Sequence, residues 1–201
     1  MTQLVIASNN PGKIKEIKTL LAPFQVDVVS LKDLGLAIDV PETGTTFQEN
    51  AQLKAEAIAA RTGQWTLADD SGLCVDALGG EPGVYSARYS GPEKDDTRNI
   101  DKLLGKMAEL PDAKRNAFFT CVLALSHPGK PTHFAEGRCD GRITRERHGE
   151  SGFGYDPVFL IVDRGETFAE MGSEAKNAIS HRARALRQLA AHWKVWTGED
   201  E

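Results

Sequence analysis

The chain has no apolar run long enough to cross a membrane, and its amino-terminal MTQLVIASNN has neither the charged region nor the apolar length of an export signal. Cysteine is scarce, with Cys74, Cys121 and Cys139 at scattered spacings. An odd, scattered set fits neither a disulfide framework nor a zinc site and points to a reducing, cytoplasmic setting. Basic blocks are missing as well. With 24 lysines and arginines against 29 aspartates and glutamates the formal charge is -5. A nucleic acid partner held by phosphate neutralisation is therefore not expected, nor a membrane partner. There is no internal repeat and no low-complexity linker.

What is present is a globular composition, 40% hydrophobic and 26% charged over 201 residues, enough for one domain over 1–201 or a core with a small lobe. The opening LVIASNNPGKIKEI is a β-branched run that stops on small polar residues and restarts with Ile14, Ile17, Leu20, Leu21 and Phe24 at helical spacing. Asn10 can cap that helix and Pro11 suits its first position, leaving several backbone N–H groups pointing out of the loop beside Lys13. Such a place suits an anion, a phosphate above all. A well-capped connection with no ligand is the other reading. Ala7 stands where a Walker A loop needs glycine, and Ile14 where it needs serine or threonine, so this is not that loop.

FQVDVVSL then predicts a second strand, Thr46 with Glu49 a capping box for a helix running to Gly63, and WTLA a third, short strand. This opening alternates as parallel α/β proteins do, with strand ends facing one crevice. A helix from Asp95 carries Ile100, Leu103, Leu104 and Met107, after which AFFTCVLALS and THFAEGRCDG read as hairpin partners around PGK. PVFLIV reads as the last strand, so the fold class is mixed α/β. Near the end, Ser173 can start a short turn carrying Lys176, and Ser180 can restart a helix with His181 and Arg182 in its first turn.

Three segments carry candidate chemistry. LADDSGL puts Asp69 and Asp70 at a strand end before a glycine turn, where neighbouring carboxylates point opposite ways. One can bond the scaffold while the other ligates magnesium or takes a proton from water; a polar turn capping local N–H groups is the alternative. PETG offers Glu42 as a further oxygen ligand. GFGYDP places Phe153 and Tyr155 on one side if extended, where two rings could stack a flat base or could equally enter the core. Ser86 and Arg88 in LGGEPGVYSARYSG read as structural.

Together SNN with Lys13, PETG-TF-ENA, ADDSGL-VDALGG-PG-YSARY, GFGYDPVF and ISHRARAL resemble the inosine triphosphate pyrophosphatase family, from residue 4 to about residue 190. The resemblance implies an elongated, two-lobed mixed α/β structure with a central curved sheet flanked by helices, usually a homodimer. It implies hydrolysis of non-canonical purine nucleoside triphosphates such as ITP, dITP and XTP to the monophosphate and pyrophosphate. It makes Ser8, Asn9, Asn10, Pro11, Gly12 and Lys13 the triphosphate loop, Glu42 and Asp70 the Mg2+ ligands, and Asp70 also the base, with Lys13 assisting catalysis. Ser71 would contact substrate, Phe153, Gly154, Tyr155 and Asp156 would hold the base, Lys176 would reach the nucleotide, and His181 with Arg182 would read the base edge. A related pyrophosphatase with another base preference, and a nucleotide-sensing module without turnover, are the alternatives.

Overall fold

The computed structural model describes residues 3–198. Seven strands form one sheet in the order β2-β1-β3-β4-β5-β6-β7: β1 Gln3–Ile6, β2 Asp27–Ser30, β3 Trp65–Val75, β4 Asn116–Ser126, β5 His133–Ile143, β6 Phe159–Ile161 and β7 Glu166–Thr167. β1 runs parallel to β2 and to β3, whereas β6 is antiparallel to β5 and β7, so the sheet is mixed. The helices are α1 Pro11–Leu21, α2 Phe47–Thr62, α3 Asp96–Lys106, α4 Phe168–Ile179 and α5 His181–Thr197. By contacts the chain divides into a first unit, Met1–Asp70 with Cys121–Gly137 and Arg182–Glu201, and a second, Ser71–Thr120 with Arg138–His181.

Local signals account for the helix ends. Asn10 accepts from the Lys13 N–H at the start of α1, with Pro11 in its first turn. Thr46 and Glu49 form the reciprocal capping box of α2, which ends on Gly63 in the left-handed region. Asp95 caps α3. α4 begins earlier than Ser173, on a second capping box of Thr167 and Glu170, but is broken at Gly172 (φ 77, ψ 169), so the turn carrying Lys176 starts anew. Ser180 is extended (ψ 159) and separates α4 from α5.

In the first unit β1 and the start of β3 are buried on both faces, which is why LVIA reads as a continuous apolar run. Leu4, Ile6, Trp65 and Leu67 pack with Ile17 and Leu21 of α1 and Leu186 and Leu189 of α5. The alternate residues Val5, Ala7 and Ala68 pack with Ala51, Ala55 and Ile58 of α2. The period of two thus hands odd positions of β3 to the α1/α5 face and even positions to the α2 face. In the second unit Leu73, Val75, Ile100, Leu103, Phe119, Val158, Phe159 and Phe168 share a core.

Two expectations are corrected. β3 does not stop at Ala68; it runs through Asp69, Asp70, Ser71 and Gly72 to Val75, so the carboxylates lie inside a strand and not on a turn. The polar residues stay in the strand because both aspartates face basic partners, described below. PVFLIV is not the last strand, since β7 pairs with β6 beyond it.

The second unit also buries Arg115, 2% exposed. Its guanidinium donates to the carbonyls of Ile143, Met107 and Thr144 at 2.8 Å each, tying the end of α3 to the end of β5. Arg115→Met keeps the stem but strands three carbonyls, and should lower stability by about 3 kcal/mol or more in urea unfolding. A loss under about 1 kcal/mol would show that water replaces the guanidinium at little cost.

Candidate active site

The first unit gathers the loop after β1, the PETG segment, α2 and the middle of β3 around two adjacent carboxylates. Odd position 69 sends Asp69 to the α1/α5 face. There Oδ1 meets Lys13 Nζ at 2.7 Å and Oδ2 meets Arg182 Nε at 2.8 Å. Cys121 Sγ donates to the same Oδ2 at 3.0 Å, and the other side of the Arg182 guanidinium grips Glu16. Burial opposes the charge on Asp69, but Arg182 and Lys13 outweigh it and hold the carboxyl well below the usual carboxylate range.

Even position 70 sends Asp70 the other way, towards α2. Lys54 Nζ stands 3.7 Å from Asp70 Oδ1, 2.8 Å from Glu42 Oε1 and 2.7 Å from the Asp69 carbonyl. Asp70 Oδ2 is buried without a hydrogen-bond partner among the described residues. Burial, only partly offset by Lys54 and Lys13, pushes the Asp70 carboxyl up to about 6. Burial also works against the Lys54 charge, yet the Asp70 and Glu42 carboxylates raise its pKa. Two neighbouring aspartates therefore have opposite characters: Asp69 is a fixed anion, and Asp70 is a basic carboxylate with an oxygen to offer.

The loop of Ser8 to Lys13 is more tied down than its sequence suggests. Ser8 Oγ accepts from the Asn10 N–H and Asn10 Oδ1 from the Lys13 N–H, both at 3.1 Å. Two N–H groups expected to point outward are thus used inside the loop. Asn9 Nδ2 donates to the Ile38 carbonyl, and Lys13 is turned onto Asp69.

The second unit holds the other predicted residues. Lys176 and Asp156 form a buried ion pair, Nζ to Oδ2, at 2.7 Å, and the same oxygen accepts from the Phe153 N–H at 3.1 Å. Lys176 Nζ lies 4.8 Å from the centre of the Phe153 ring. Gly152 makes this possible, because a Cβ there would lie 2.1 Å from Asp156 Oδ2. His181 is 4% exposed and stacks on Phe119, ring centres 4.7 Å apart and planes within 12°. Ser71 continues β3 in this unit.

One sequence reading changes here. Phe153 and Tyr155 are not two rings on one side of an extended segment, because Gly152 and Gly154 take positive φ and curl it. Tyr155 is 4% exposed in the core and donates to the Ser86 carbonyl at 2.7 Å, so it supports the segment rather than offering a face. Ser86 is structural as expected, its hydroxyl accepting from the Leu73 N–H and donating to the Gly83 carbonyl. Arg182 is 1% exposed and bound to two carboxylates. Lys54 and Glu16 were not signalled by any motif. Lys54 borders the Ala51–Ala55–Ile58 stripe of α2, and Glu16 lies one helical turn beyond Lys13, which are the only cues.

The Ham1 family model matches residues 4–192. A dITP/XTP pyrophosphatase of Geobacillus kaustophilus is 52% identical, covering 98% of this chain and 97% of its own length. One from Bacillus subtilis is 50% identical, covering 94% and 96%. Among solved structures, the Staphylococcus aureus Ham1 protein superposes with TM-score 0.85 at 44% identity, covering 96% of this chain and 98% of its own.

Asp70 lets stability and function be separated. Its pKa is raised from 3.8 to about 6 by folding, so the metal-free folded protein releases this proton later than the unfolded chain. The resulting penalty is absent below about pH 4 and complete above about pH 6. In EDTA at pH 8, Asp70→Asn should be more stable than the unaltered protein by up to about 3 kcal/mol, with the gain fading towards pH 4. Asp69→Asn should instead lose about 3–5 kcal/mol, because Arg182 and Lys13 remain buried without their anion. Urea unfolding across pH measures both, and equal effects would refute the division of roles.

Proposed function

The chain belongs to the Ham1 family, and on that footing we propose that it is a nucleoside triphosphate pyrophosphatase that removes non-canonical purine nucleotides, ITP, dITP and XTP, from the nucleotide pool. The observation that carries this reading is the unequal carboxylate pair: an anchored Asp69 behind a cationic loop, and a basic Asp70 beside Glu42. Relatives about half identical over nearly the whole chain carry the dITP/XTP pyrophosphatase name.

Glu42 and Asp70 suit a divalent cation. Both face the Lys54 ammonium, and Asp70 keeps a buried oxygen with no partner among the described residues. No group of three or more His, Cys, Asp or Glu side chains that could hold a metal occurs among those residues. Two carboxylates completed by phosphate oxygens and water match Mg2+. When bound, Mg2+ would neutralise phosphate charge and make water more acidic.

The chain's own residues do the rest. Asp70, with an oxygen that has no partner among the described residues, is the group assigned to take a proton from the attacking water. The water oxygen bonds to the α-phosphorus, the bond from that phosphorus to the bridging oxygen breaks, and pyrophosphate departs. Lys13 and the loop of Ser8, Asn9, Asn10, Pro11 and Gly12 stabilise the charge gathering on pyrophosphate. Asp69 holds Lys13 in place. Ser71 is assigned to substrate contact.

Phe153 offers a face to the purine, with Gly154 and Tyr155 shaping its segment and Asp156 orienting Lys176. Lys176 and His181 present donors to the base. Arg182 enters twice, as a donor towards the base edge and as the anchor of Asp69 and Glu16. A 6-oxo purine accepts from such donors; adenine sets an amino group against them, at about 1–3 kcal/mol for each buried group left unpaired. A homodimer in the cytoplasm completes the reading; no helix among the described residues is long and apolar enough to cross a membrane.

Incubated with ITP and Mg2+ in water labelled with heavy oxygen, the protein should give labelled IMP and unlabelled pyrophosphate. IDP with orthophosphate would mean that the triphosphate lies in another register. Asp70→Asn should lower kcat on the order of a hundredfold or more, since both metal binding and proton transfer are lost. Near-normal turnover by this variant would remove Asp70 from the chemistry.

A further inference from the structure

α2 holds the segment before it at two points. Two turns into the helix, Lys54 takes the Glu42 side chain at 2.8 Å. One turn nearer its start, on the same face, Asn50 takes the backbone: its Oδ1 accepts from the Gly44 N–H at 2.8 Å. Between these contacts lie Glu42, Thr43 and Gly44. The next residues are also stitched down, with Glu49 Oε2 accepting from the Thr45 N–H at 2.7 Å and the Thr46 N–H at 3.3 Å.

We propose that Asn50 is a positioning residue for Glu42, acting through the backbone of Gly44; this rests on the reading of Glu42 as a metal ligand. Three observations support it independently. Asn50 is 0% exposed in a helix whose buried neighbours are Ala51, Ala55 and Ile58, so an amide is an unexpected occupant. Its Nδ2 is buried with no partner among the described residues, so the side chain is not there to satisfy both of its ends. What it does supply is an acceptor for one N–H. Finally, Gly44 sits so close that a Cβ would lie 2.7 Å from Asn50 Oδ1 and 2.7 Å from Glu49 Cβ. The contact therefore requires glycine on one side and a short acceptor on the other.

A carboxylate on a short segment ahead of a helix has many rotamers and backbone paths open to it. Fixing Gly44 two residues away removes most of them and leaves Glu42 aimed at Lys54, which also faces Asp70. Asn50→Leu keeps the volume and removes the acceptor. Gly44→Ala leaves the buried helix face intact and pushes the segment off Asn50.

The test is Mn2+ binding to the metal-free protein followed by electron paramagnetic resonance, without substrate, for the unaltered chain, Asn50→Leu, Gly44→Ala and Glu42→Gln. Both Asn50→Leu and Gly44→Ala should bind Mn2+ about tenfold more weakly or worse, as partners that orient metal ligands do when lost. Their kcat should recover at high Mg2+, since Asp70 is untouched. A Glu42→Gln loss with unchanged Mn2+ affinity in folded Asn50→Leu and Gly44→Ala would overturn the proposal alone. Unchanged affinity in Glu42→Gln would instead remove Glu42 as a ligand. If Asn50→Leu does not fold, Gly44→Ala decides.

Discussion

The molecule's functional logic depends on one buried charge. Asp69 sits at the centre of the sheet with no exposure to speak of, and a carboxylate there is tolerable only because Lys13 and Arg182 reach it from two helices. That pairing has consequences in several directions. It lets a polar stretch continue as strand, because the polar atoms are satisfied by side chains and the ladder need not end. It turns Lys13 inward, so that the cationic end of the first loop has a defined place. It also ties the start of α5 to α1 through Glu16, a connection between residues far apart in the chain.

Once Asp69 is committed, the pleat of the strand decides the rest. Its neighbour must face the opposite side, where α2 presents a single lysine shared among Asp70, Glu42 and a backbone carbonyl. Lys54 and Lys13 together offset only part of the cost of burying Asp70. The consequence is a carboxyl whose affinity for protons, and equally for a divalent cation, is raised by burial. The apo protein carries this as a local instability, and a site that is costly when empty is one that a ligand can stabilise. The alternation of the strand thus gives two adjacent aspartates opposite surroundings.

The parts of this arrangement that were legible in the sequence are local ones. Asn10 and Pro11 at α1, the Thr46 and Glu49 box at α2 and the break at Ser180 each depend on residues within a few positions of one another. The apolar runs of the first strands likewise announce two-sided burial. What could not be read was the consequence of contact at long range. A run such as DDSG looks like a turn until Arg182, 113 residues away, is found against it. The same applies to Tyr155, whose ring was open to two readings until Ser86 was found to hold its hydroxyl. Lys54 lies outside every quoted motif and Asn50 is the middle residue of ENA, yet only the contacts of α2 with the PETG segment give either of them meaning. The family resemblance singles out Asp70 without supplying the contacts that set it apart from Asp69.

The central claim is that adjacent carboxylates on one strand are held in opposite states by their partners. Carbon-13 NMR of aspartate-labelled, metal-free protein, with the Asp69 and Asp70 carboxyl signals assigned from single Asn variants, tests it most directly. The account predicts that the Asp70 signal titrates near pH 6 while the Asp69 signal stays in its ionised position throughout the range in which the protein is folded. Both signals moving together around the ordinary aspartate value of about 4 would contradict it.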